Sequence, residues 1–277
     1  MSSQAEILTQ ALPYIKKYSG KIVAIKYGGH AMSDEAGVMK DIALLRLVGV
    51  KVVLIHGGGP EISQMTKRLG KIPDFVDGLR VTDNEMIEIV QMVLAGKINK
   101  TLVNLLELQG SHAVGLSGID GNLIEATVKN PKLGFVGNIT KINNQIILDL
   151  LEKNYIPVIS TIARNSDGSI YNINGDTAAA YIAGSLKAER LIMMTDTPGI
   201  LRDKNDPDTL IHELNLNEAS QLFSKGIISE GMIPKVECCI EAVRLGVKNV
   251  IIINGKTPHA LLIELLTDEG AGTLIKK

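Results

Sequence analysis

Two stretches decide the fold: IVAIKYGG at residues 22–29 and VVLIHGGG at residues 52–59. In each, an apolar run that is typical of a buried strand leads directly into glycines. Glycine adopts positive φ angles and lets backbone N–H groups approach a ligand, which suits an anion with many acceptor oxygens. One glycine would serve a simple strand-to-helix turn, whereas three follow the second run. We therefore predict that both loops bind phosphate; the alternative is that the glycines serve turn geometry alone.

The chain around these loops alternates between helices and strands. Ser33 precedes a helix whose Val38, Ile42 and Leu45 share one face, and the second strand follows it directly. Pro60 then begins another helix, because proline is favoured in the first turn, where free N–H groups also attract anions. A strand, a helix and a strand joined by short loops form a right-handed βαβ unit. The sequence therefore predicts an α/β fold with a mainly parallel sheet.

The next part of the chain predicts one long helix. Residues 75–81 are a short extended segment, after which Thr82 and Glu85 form a capping-box pattern. Apolar residues then recur at helical spacing through Leu106. Gly96 lowers the stability of this helix, and we expect it to mark close packing against another helix.

The second half of the chain begins with a change of pattern. Short alternating strands between residues 113 and 141 predict a β-rich side sheet or lid, with a hairpin turn at Asp120-Gly121 and another break at residues 134–137. The parallel pattern then resumes with a helix near 143–153, a strand at 156–160, a turn at 166–168 into a strand at 170–173, an alanine-rich helix from Asp176, a strand at 191–195, helices near 216–225 and 236–245, and a strand at 250–253. We predict a lobe boundary at 175–187 without a linker, so that two lobes share one sheet. The predicted units are residues 1–20, 21–180 and 181–277.

The composition restricts the class of protein. Hydrophobic residues make up 45% of the 277 residues and the net charge is -1, which argues against nucleic acid or an anionic membrane as a partner. No apolar stretch predicts an export signal or a membrane span. The only cysteines, Cys238 and Cys239, are adjacent and poorly placed to pair, so we expect a reducing, cytoplasmic location.

Several known phosphate and metal motifs are absent from the sequence. Gly255-Lys256-Thr257 has the end of a P-loop, but Val250 stands where the leading glycine belongs. Neither early glycine loop matches G-x-G-x-x-G, and there is no G-x-S-x-G, no H-E-x-x-H and no metal-spaced cysteine cluster. We therefore expect neither a hydrolase triad nor a zinc site.

Four charged residues remain as candidates for chemistry. Lys26 lies in an apolar strand just before a glycine loop, where a lysine is unfavourable unless it meets an anion. Asp176 begins a helix after a strand, Lys235 begins another helix, and Arg80 is isolated in an extended segment. Three of them also have a structural interpretation, with Asp176 as an N-cap, Lys235 as a solvated side chain and Arg80 as a loop charge.

Six ordered motifs resemble those of the amino acid kinase family. They are KYGG (26–29), HGGG (56–59), DGLRVT (77–82), NINGD (172–176), DTPGI (196–200) and GMIPK (231–235). The similarity extends from Lys21 to Ile275 and implies a three-layer αβα sandwich with two lobes. Within the family, it is greatest to members that phosphorylate the γ-carboxylate of N-acetyl-L-glutamate with ATP, the second step of arginine biosynthesis.

The resemblance implies that a substrate carboxylate attacks the γ-phosphate of ATP to form an acyl phosphate. A carboxylate with a pKa near ~4.3 is already ionised at neutral pH, so no general base is required. The site must instead bring two anions together and stabilise the transferring group. By resemblance, Lys26 and Lys235 contact this group from two sides and Asp176 holds both lysines. His30 and His56 flank the glycine loops, and we assign neither a catalytic role.

The resemblance also implies the binding residues. ATP would be bound by Gly28, Gly29, Gly57, Asp196 and Gly199, and the amino-acid substrate by Gly58, Gly59, Arg80, Asn172 and Asn174. Arg80 would be the bidentate partner of the substrate α-carboxylate. Mg²⁺ would arrive on the ATP phosphates, and we expect no metal site built from side chains.

Residues 1–20 precede the first strand, and the catalytic fold does not need them. Their apolar stripe, which Pro13 should kink or interrupt, consists of Ile7, Leu8, Ala11, Leu12 and Ile15. The segment resembles the N-terminal helix that joins three dimers into a hexameric ring in arginine-sensitive members of the family. This resemblance implies feedback inhibition by arginine, bound near Tyr14, His259, Glu264 and Glu269. The alternative is that the helix packs on its own C-terminal lobe.

Other functions stay open at this point. Another carboxylate kinase of the family, such as an aminoadipate-derivative kinase, would share the fold. Aspartokinases usually carry added regulatory domains, and a uridylate kinase would not need Arg80. A catalytically silent amino-acid or nucleotide sensor would not need Lys26, Asp176 and Lys235.

Overall fold

The computed structural model describes residues 6, 9–29, 34–203, 205–228 and 231–277. The strands are β1 (Ile22–Tyr27), β2 (Lys51–His56), β3 (Phe75–Val76), β4 (Leu79–Arg80), β5 (Ala113–Ser117), β6 (Ile124–Val128), β7 (Gly137–Ile142), β8 (Ile156–Ser160), β9 (Ile162–Arg164), β10 (Ile170–Asn172), β11 (Arg190–Thr195), β12 (Glu213–Asn215), β13 (Asn249–Asn254) and β14 (Gly272–Lys276). The α-helices are α1 (Leu12–Tyr18), α2 (Glu35–Leu47), α3 (Gly59–Arg68), α4 (Asn84–Gln91), α5 (Asn99–Leu108), α6 (Gln145–Glu152), α7 (Gly175–Ser185), α8 (Leu216–Ser224), α9 (Ile233–Arg244) and α10 (Ala260–Leu266). None of the helices in these ranges combines the length and apolarity needed to cross a bilayer.

Eight strands form the central sheet, in the order β12-β14-β13-β11-β1-β2-β8-β5. Every neighbouring pair is parallel except β13 and β14. Strands from both sides of residues 175–187 belong to this sheet, since β1 pairs with β2 on one side and with β11 on the other. The predicted α/β fold, with one mainly parallel sheet, is confirmed.

Apolar side chains cover both faces of the central sheet. Along β1, Ala24 belongs to one buried cluster, whereas Val23 and Ile25 belong to the other. The first cluster includes side chains of α6, α7, α8 and α9, and the second includes side chains of α2, α3, α4, α5 and α10. Burial on both faces is the reason that strands such as β1 and β2 are continuous apolar runs in the sequence. The three-layer αβα arrangement is confirmed.

A separate four-stranded sheet has the order β10-β9-β6-β7. It confirms the predicted side sheet, and β9 and β10 form a hairpin around the predicted turn at residues 166–168. The hairpin predicted at Asp120-Gly121 is wrong, because β5 pairs with β8 in the central sheet. Residues 120–122 instead form a 3₁₀ turn that connects the two sheets.

The long helix predicted from Thr82 is helical from residue 84 to 108, but it is irregular. A π-helical segment, Met92–Ile98, joins α4 to α5. Asp83 rather than Thr82 caps the start, with its carboxylate accepting a hydrogen bond from the Met86 N–H at 2.8 Å. The packing role predicted for Gly96 is wrong, because Gly96 is exposed and a Cβ there would meet nothing within 4 Å.

The described part of the N-terminal segment ends in α1. Pro13 lies in the first turn of α1, as expected for a residue that interrupts a longer helix. Tyr18 is buried and α1 packs against α10 of the same chain, while Leu12 stays 48% exposed. Several residues used in the sequence predictions, Ile7, Leu8, His30 and Ser33, lie outside the described residues.

Candidate active site

A cavity of about 210 Å³ opens where β1 and β2 end. The two glycine loops meet there, since a Cβ on Gly28 would lie 3.1 Å from the backbone nitrogen of Gly57. Gly28 and Gly29 have φ angles of 151° and 70°, which favour glycine. The cavity wall includes these predicted site residues: Lys26, Gly29, Gly57, Gly58, Gly59, Arg80, Asn172, Asn174 and Asp176.

Asp176 lies between two lysines. One carboxylate oxygen, Oδ1, is 2.8 Å from Lys26 Nζ, and the other, Oδ2, is 3.5 Å from Lys235 Nζ. The Asp176 side chain is 13% exposed, and Lys235 reaches it from the start of α9. Burial opposes the charge on Asp176, but the ion pairs with Lys26 and Lys235 outweigh burial and hold its pKa below the usual value. Two ammonium groups and one carboxylate leave a net positive charge, which suits a phosphoryl group.

The N-cap of α7 is Asn174 rather than Asp176. Asn174 Oδ1 accepts hydrogen bonds from the N–H groups of Asp176 and Thr177, both at 3.0 Å. The Asp176 carboxylate is therefore not used as a cap and faces the two lysines. The interpretations of Asp176 as an N-cap and of Lys235 as a purely solvated side chain are wrong.

Arg80 is buried, at 7% exposure, and among the described residues it has no carboxylate partner. Its Nη2 donates to Gly59 O at 2.9 Å and to Ser63 Oγ at 2.8 Å, and its Cζ lies 4.7 Å from the centre of the Phe75 ring. Nη1 is buried without a hydrogen-bond partner in the described part of the chain, and burial lowers the pKa of Arg80. Arg80 is not a loop charge; its free N–H groups can bind a ligand carboxylate.

Gly57 and Gly58 serve the second loop in different ways. The Gly57 N–H donates to Tyr27 O at 3.0 Å, so this amide, which we predicted as a phosphate donor, is already engaged. Gly58 precedes α3, and a Cβ there would collide with Ile98 and lie 2.8 Å from Leu94 Cδ2. The donors that remain for an anion are the free N–H groups of the first turn of α3.

The side sheet contributes Asn172 to the cavity wall. At the end of β10, Asn172 Nδ2 donates to Thr82 Oγ1 at 3.3 Å, and the Asn172 N–H donates to Phe135 O at 2.8 Å. These contacts fix Asn172 against the segment that carries Arg80. An amide and a guanidinium thus line the same cavity.

Asp196 and Gly199 lie outside the wall of this cavity. Gly199 lines a smaller cavity of about 80 Å³ together with Thr197, Ile200, Leu201, Ile227, Ile228 and Met232. Asp196 is exposed, and its Oδ1 accepts a hydrogen bond from Thr195 Oγ1 at 3.2 Å. Thr197 Oγ1 is buried and has no hydrogen-bond partner in the described ranges. Sequence analysis did not identify the Thr197 hydroxyl as a site group, because it is recognised by its burial in the structure and not by a sequence motif.

Two of the residues predicted to bind arginine already contact other side chains around α10, Glu264 in an ion pair and His259 in a hydrogen bond. Glu264 Oε1 is 2.7 Å from Arg190 Nη1, and Arg190 lies over the Tyr18 ring at 5.3 Å from its centre. His259 Nδ1 is 2.7 Å from Asp41 Oδ1. Burial raises the pKa of the Asp41 carboxyl, and its hydrogen bond with His259 opposes that shift.

The other two predicted arginine-binding residues are more accessible. Tyr14 is half-buried on α1, and Glu269 is exposed after α10. All four residues lie apart from the cavity at the glycine loops, whose wall includes none of them. An effector bound there would act on the site from a distance.

Comparisons with known proteins identify the family. The family model described as "Amino acid kinase family" matches residues 21–254. An acetylglutamate kinase of Prochlorococcus marinus (strain NATL2A) is 51% identical over 278 residues, covering 99% of this chain and 91% of the relative. An acetylglutamate kinase of Clostridium kluyveri is 50% identical over 276 residues, covering 98% of each protein.

A solved structure shows the same relationship. N-acetylglutamate synthase from Neisseria gonorrhoeae, complexed with coenzyme A and N-acetyl-glutamate, matches with a TM-score of 0.87 and 28% identity. The match covers 99% of this chain but only 64% of that longer protein. With a family match across both glycine loops and the Asp176 cluster, this chain belongs to the amino acid kinase family.

Proposed function

We propose that this chain transfers the γ-phosphoryl group of ATP to the γ-carboxylate of N-acetyl-L-glutamate, which forms N-acetylglutamyl 5-phosphate and ADP. This reaction is the second step of arginine biosynthesis. One observation carries the proposal: the buried Arg80, which has no carboxylate partner among the described residues, lines the same cavity as Lys26 and Asp176. Relatives with this named activity match almost the whole chain at about 50% identity.

The two ends of the substrate need different contacts. Its α-carboxylate accepts hydrogen bonds from Arg80, whose positive charge has no carboxylate partner in the described part of the chain. Asn172 binds the α-carboxylate or the acetamido group, the Asn174 amide and the Gly58-Gly59 segment complete the pocket, and the γ-carboxylate points toward the lysines. That carboxylate is ionised at neutral pH and attacks without a general base.

The chemical step moves no proton. A bond forms between a γ-carboxylate oxygen and the γ-phosphorus, the bond from phosphorus to the bridging oxygen breaks, and ADP leaves with that electron pair. Lys26 and Lys235 stabilise the negative charge on the transferring group, and Asp176 fixes the spacing of the two ammonium groups. Backbone N–H groups at Gly28-Gly29 and at the start of α3 add donors to the phosphates.

The nucleotide base and ribose bind to the C-terminal lobe, residues 181–277. Gly199 and the buried Thr197 hydroxyl line an apolar cavity with a polar atom that lacks a partner in the described residues, as an adenine site requires. Asp196 lies at the exposed rim. Mg²⁺ enters with ATP and neutralises phosphate charge. Within the described ranges, no group of three or more His, Cys, Asp or Glu side chains is arranged to hold a metal ion.

Regulation and assembly complete the proposal. Residues 1–20, whose described part includes α1, are the oligomerisation segment. Residues 21–180 bind the amino acid and form a dimer, and residues 181–277 bind ATP, in a hexamer of three dimers in the cytoplasm. Arginine inhibits by binding near Tyr14, His259, Glu264 and Glu269. Its guanidinium competes with Arg190 for the Glu264 carboxylate, so binding loosens the contact between α1 and α10.

A coupled assay of ADP release tests the activity. N-acetyl-L-glutamate, glutamate, N-acetyl-aminoadipate and UMP are supplied in turn with Mg²⁺ and ATP. We expect the highest kcat/KM for N-acetyl-L-glutamate, because UMP has no α-carboxylate for Arg80 and glutamate has no acetamido group for Asn172. N-acetyl-aminoadipate has one more methylene, which displaces its side-chain carboxylate relative to the lysines. A higher value for N-acetyl-aminoadipate or UMP, or no turnover with any of the four, would refute the proposal.

A further inference from the structure

His56, at the end of β2, is completely buried directly before the second glycine loop. Its Nδ1 is 3.0 Å from Gly57 O, and its Nε2 is 3.1 Å from Asn99 Nδ2. Burial lowers the pKa of His56 to about 4, the hydrogen bond with Gly57 opposes this shift, and the charge of Lys100 adds to it. The ring is therefore neutral at physiological pH.

Asn99 determines which ring nitrogen of His56 carries the proton. Asn99 Nδ2 also lies 3.2 Å from Leu116 O and 2.9 Å from Val158 O. Two carbonyl oxygens can only accept, so the amide must present its NH₂ group to this side, and its two hydrogens are shared among the two carbonyls and His56 Nε2. An NH₂ group cannot accept a hydrogen bond from a ring N–H. Nε2 is then an acceptor, and the neutral ring holds its proton on Nδ1. The Nδ1–H group therefore donates to Gly57 O.

The π-helical segment holds the loop from the other side. Asn99 is the first residue after Met92–Ile98, and a Cβ on Gly58 would collide with Ile98 and crowd Leu94. A π-helical segment shifts the register of the side chains that follow it, and such segments recur at functional sites. Here the segment brings the Asn99 side chain into contact with the His56 ring and packs the Ile98 side chain against Gly58.

The loop lies beside the charged groups of the cavity. A Cβ on Gly175 would be 3.5 Å from Lys26 Cε and 3.8 Å from Gly57 Cα, so the three residues are neighbours. A shift of ~1 Å in a group that orients reactants can lower the rate ~100-fold. The placement of Gly57 relative to Lys26 therefore affects phosphoryl transfer.

We propose that His56 and Asn99 are positioning residues that hold the Gly57–Gly59 loop in place for phosphoryl transfer. They act through the Gly57 carbonyl, and neither side chain belongs to the cavity wall. The inference rests on the proposed function, because it assigns the loop to the transferring group. It also adds a role that the sequence did not assign to His56.

Three variants and one control separate positioning from general stability. Asn99→Ala removes the amide that fixes the tautomer of His56. His56→Asn keeps an amide near the position of the ring nitrogen Nδ1, whereas His56→Gln places the amide near the position of Nε2. Asn144→Ala is the control, since it removes an amide that donates to a backbone carbonyl, Ser185 O at 2.7 Å, far from the loop in sequence.

We expect Asn99→Ala and His56→Gln to lower kcat by about tenfold or more, while KM for N-acetyl-L-glutamate changes less than about threefold. His56→Asn should retain more of kcat than His56→Gln, because it can still donate to Gly57 O. Asn144→Ala should keep the kcat of the unchanged protein. Loss of thermal stability with unchanged kcat in the Asn99 and His56 variants would overturn the proposal.

Backbone hydrogen exchange gives a measurement that needs no turnover. Exchange of the peptide covering residues 56–62 should increase in Asn99→Ala and His56→Gln and stay unchanged in Asn144→Ala. If the unchanged protein phosphorylates none of the substrates, the proposed function fails while this readout still tests the loop. Equal exchange in all variants would overturn the positioning role whatever the activity.

Discussion

Two arginines, Arg80, which is buried, and Arg190, whose side chain is 12% exposed, differ in how their charge is compensated. Arg80 and Arg190 each lie against an aromatic ring, that of Phe75 at 4.7 Å and that of Tyr18 at 5.3 Å. Each also keeps one buried guanidinium nitrogen without a hydrogen-bond partner in the described residues. Arg190 has the Glu264 carboxylate at 2.7 Å, whereas within the described ranges Arg80 donates only to neutral oxygens. Because a buried charge needs compensation, the arginine that lacks a carboxylate marks the place for the ligand's carboxylate.

The comparison extends to Asp176, a carboxylate that Lys26 and Lys235 share. Replacement of Asp176 should have the largest effect on activity. We expect Asp176→Asn to lower kcat about 1000-fold, or about 4 kcal/mol in activation free energy, because Lys26 and Lys235 lose the group that fixes them. The fold should persist, since Asn174 caps α7. Steady-state kinetics and circular dichroism test this. Lys26→Ala should behave similarly, and near-normal turnover in both variants would contradict the role of the cluster.

Removal of Arg190 should affect stability and leave catalysis unchanged. Arg190→Ala leaves the Glu264 carboxylate buried without its partner, so we expect a loss of about 3 kcal/mol in the free energy of unfolding. The values of kcat and KM should stay close to normal. Urea unfolding and steady-state kinetics measure both properties. If Arg190→Ala instead raises KM for N-acetyl-L-glutamate with unchanged stability, the distinction between a structural Arg190 and a ligand-binding Arg80 is wrong.

Removal of Arg80 should have the opposite signature. Arg80→Ala should raise KM for N-acetyl-L-glutamate about 30-fold, or about 2 kcal/mol, because a charged bidentate contact is lost. KM for ATP and the free energy of unfolding should change little. Arg80→Lys is the matched control, and it should recover only part of the affinity, since an ammonium group cannot bind both carboxylate oxygens in the same plane. An unchanged KM in Arg80→Ala would remove this residue from the substrate site.

The central strands could be predicted closely from the sequence. The apolar run at 156–160 coincides with β8, and β1 and β2 are apolar because helices cover both faces of the sheet. β5 was assigned to a hairpin because a short alternating strand does not reveal its partner. β12 has only three residues and depends on pairing with β14, so local sequence gave no signal for it.

The site could be predicted only in part. A lysine in an apolar strand is unusual enough to single out Lys26, but Asn174 and Asp176 are both good caps, and only the structure shows which one caps α7. The hydrogen bond between His56 and Asn99 joins residues 43 positions apart. It also depends on the π-helical register, for which the sequence offered no pattern.

The smallest expected effect concerns the surroundings of Arg190, where α1 meets α10. If arginine inhibits by loosening the contact between α1 and α10, removal of residues 1–18 takes away α1 with its Tyr18 ring and should weaken inhibition. We expect about tenfold more arginine for half-inhibition, or about 1.4 kcal/mol, with kcat nearly unchanged.

Light scattering should show a dimer for this deletion, because it removes the segment that we propose joins the dimers. Deletion of residues 1–10 is the matched control: it keeps α1 and Tyr18, and arginine should inhibit it more strongly than the longer deletion. A variant lacking residues 1–18 that stays hexameric and equally sensitive would exclude both roles. A fall in thermal stability alone would instead favour the alternative that α1 only packs on its own C-terminal lobe, with Tyr18 there as a structural contact of Arg190.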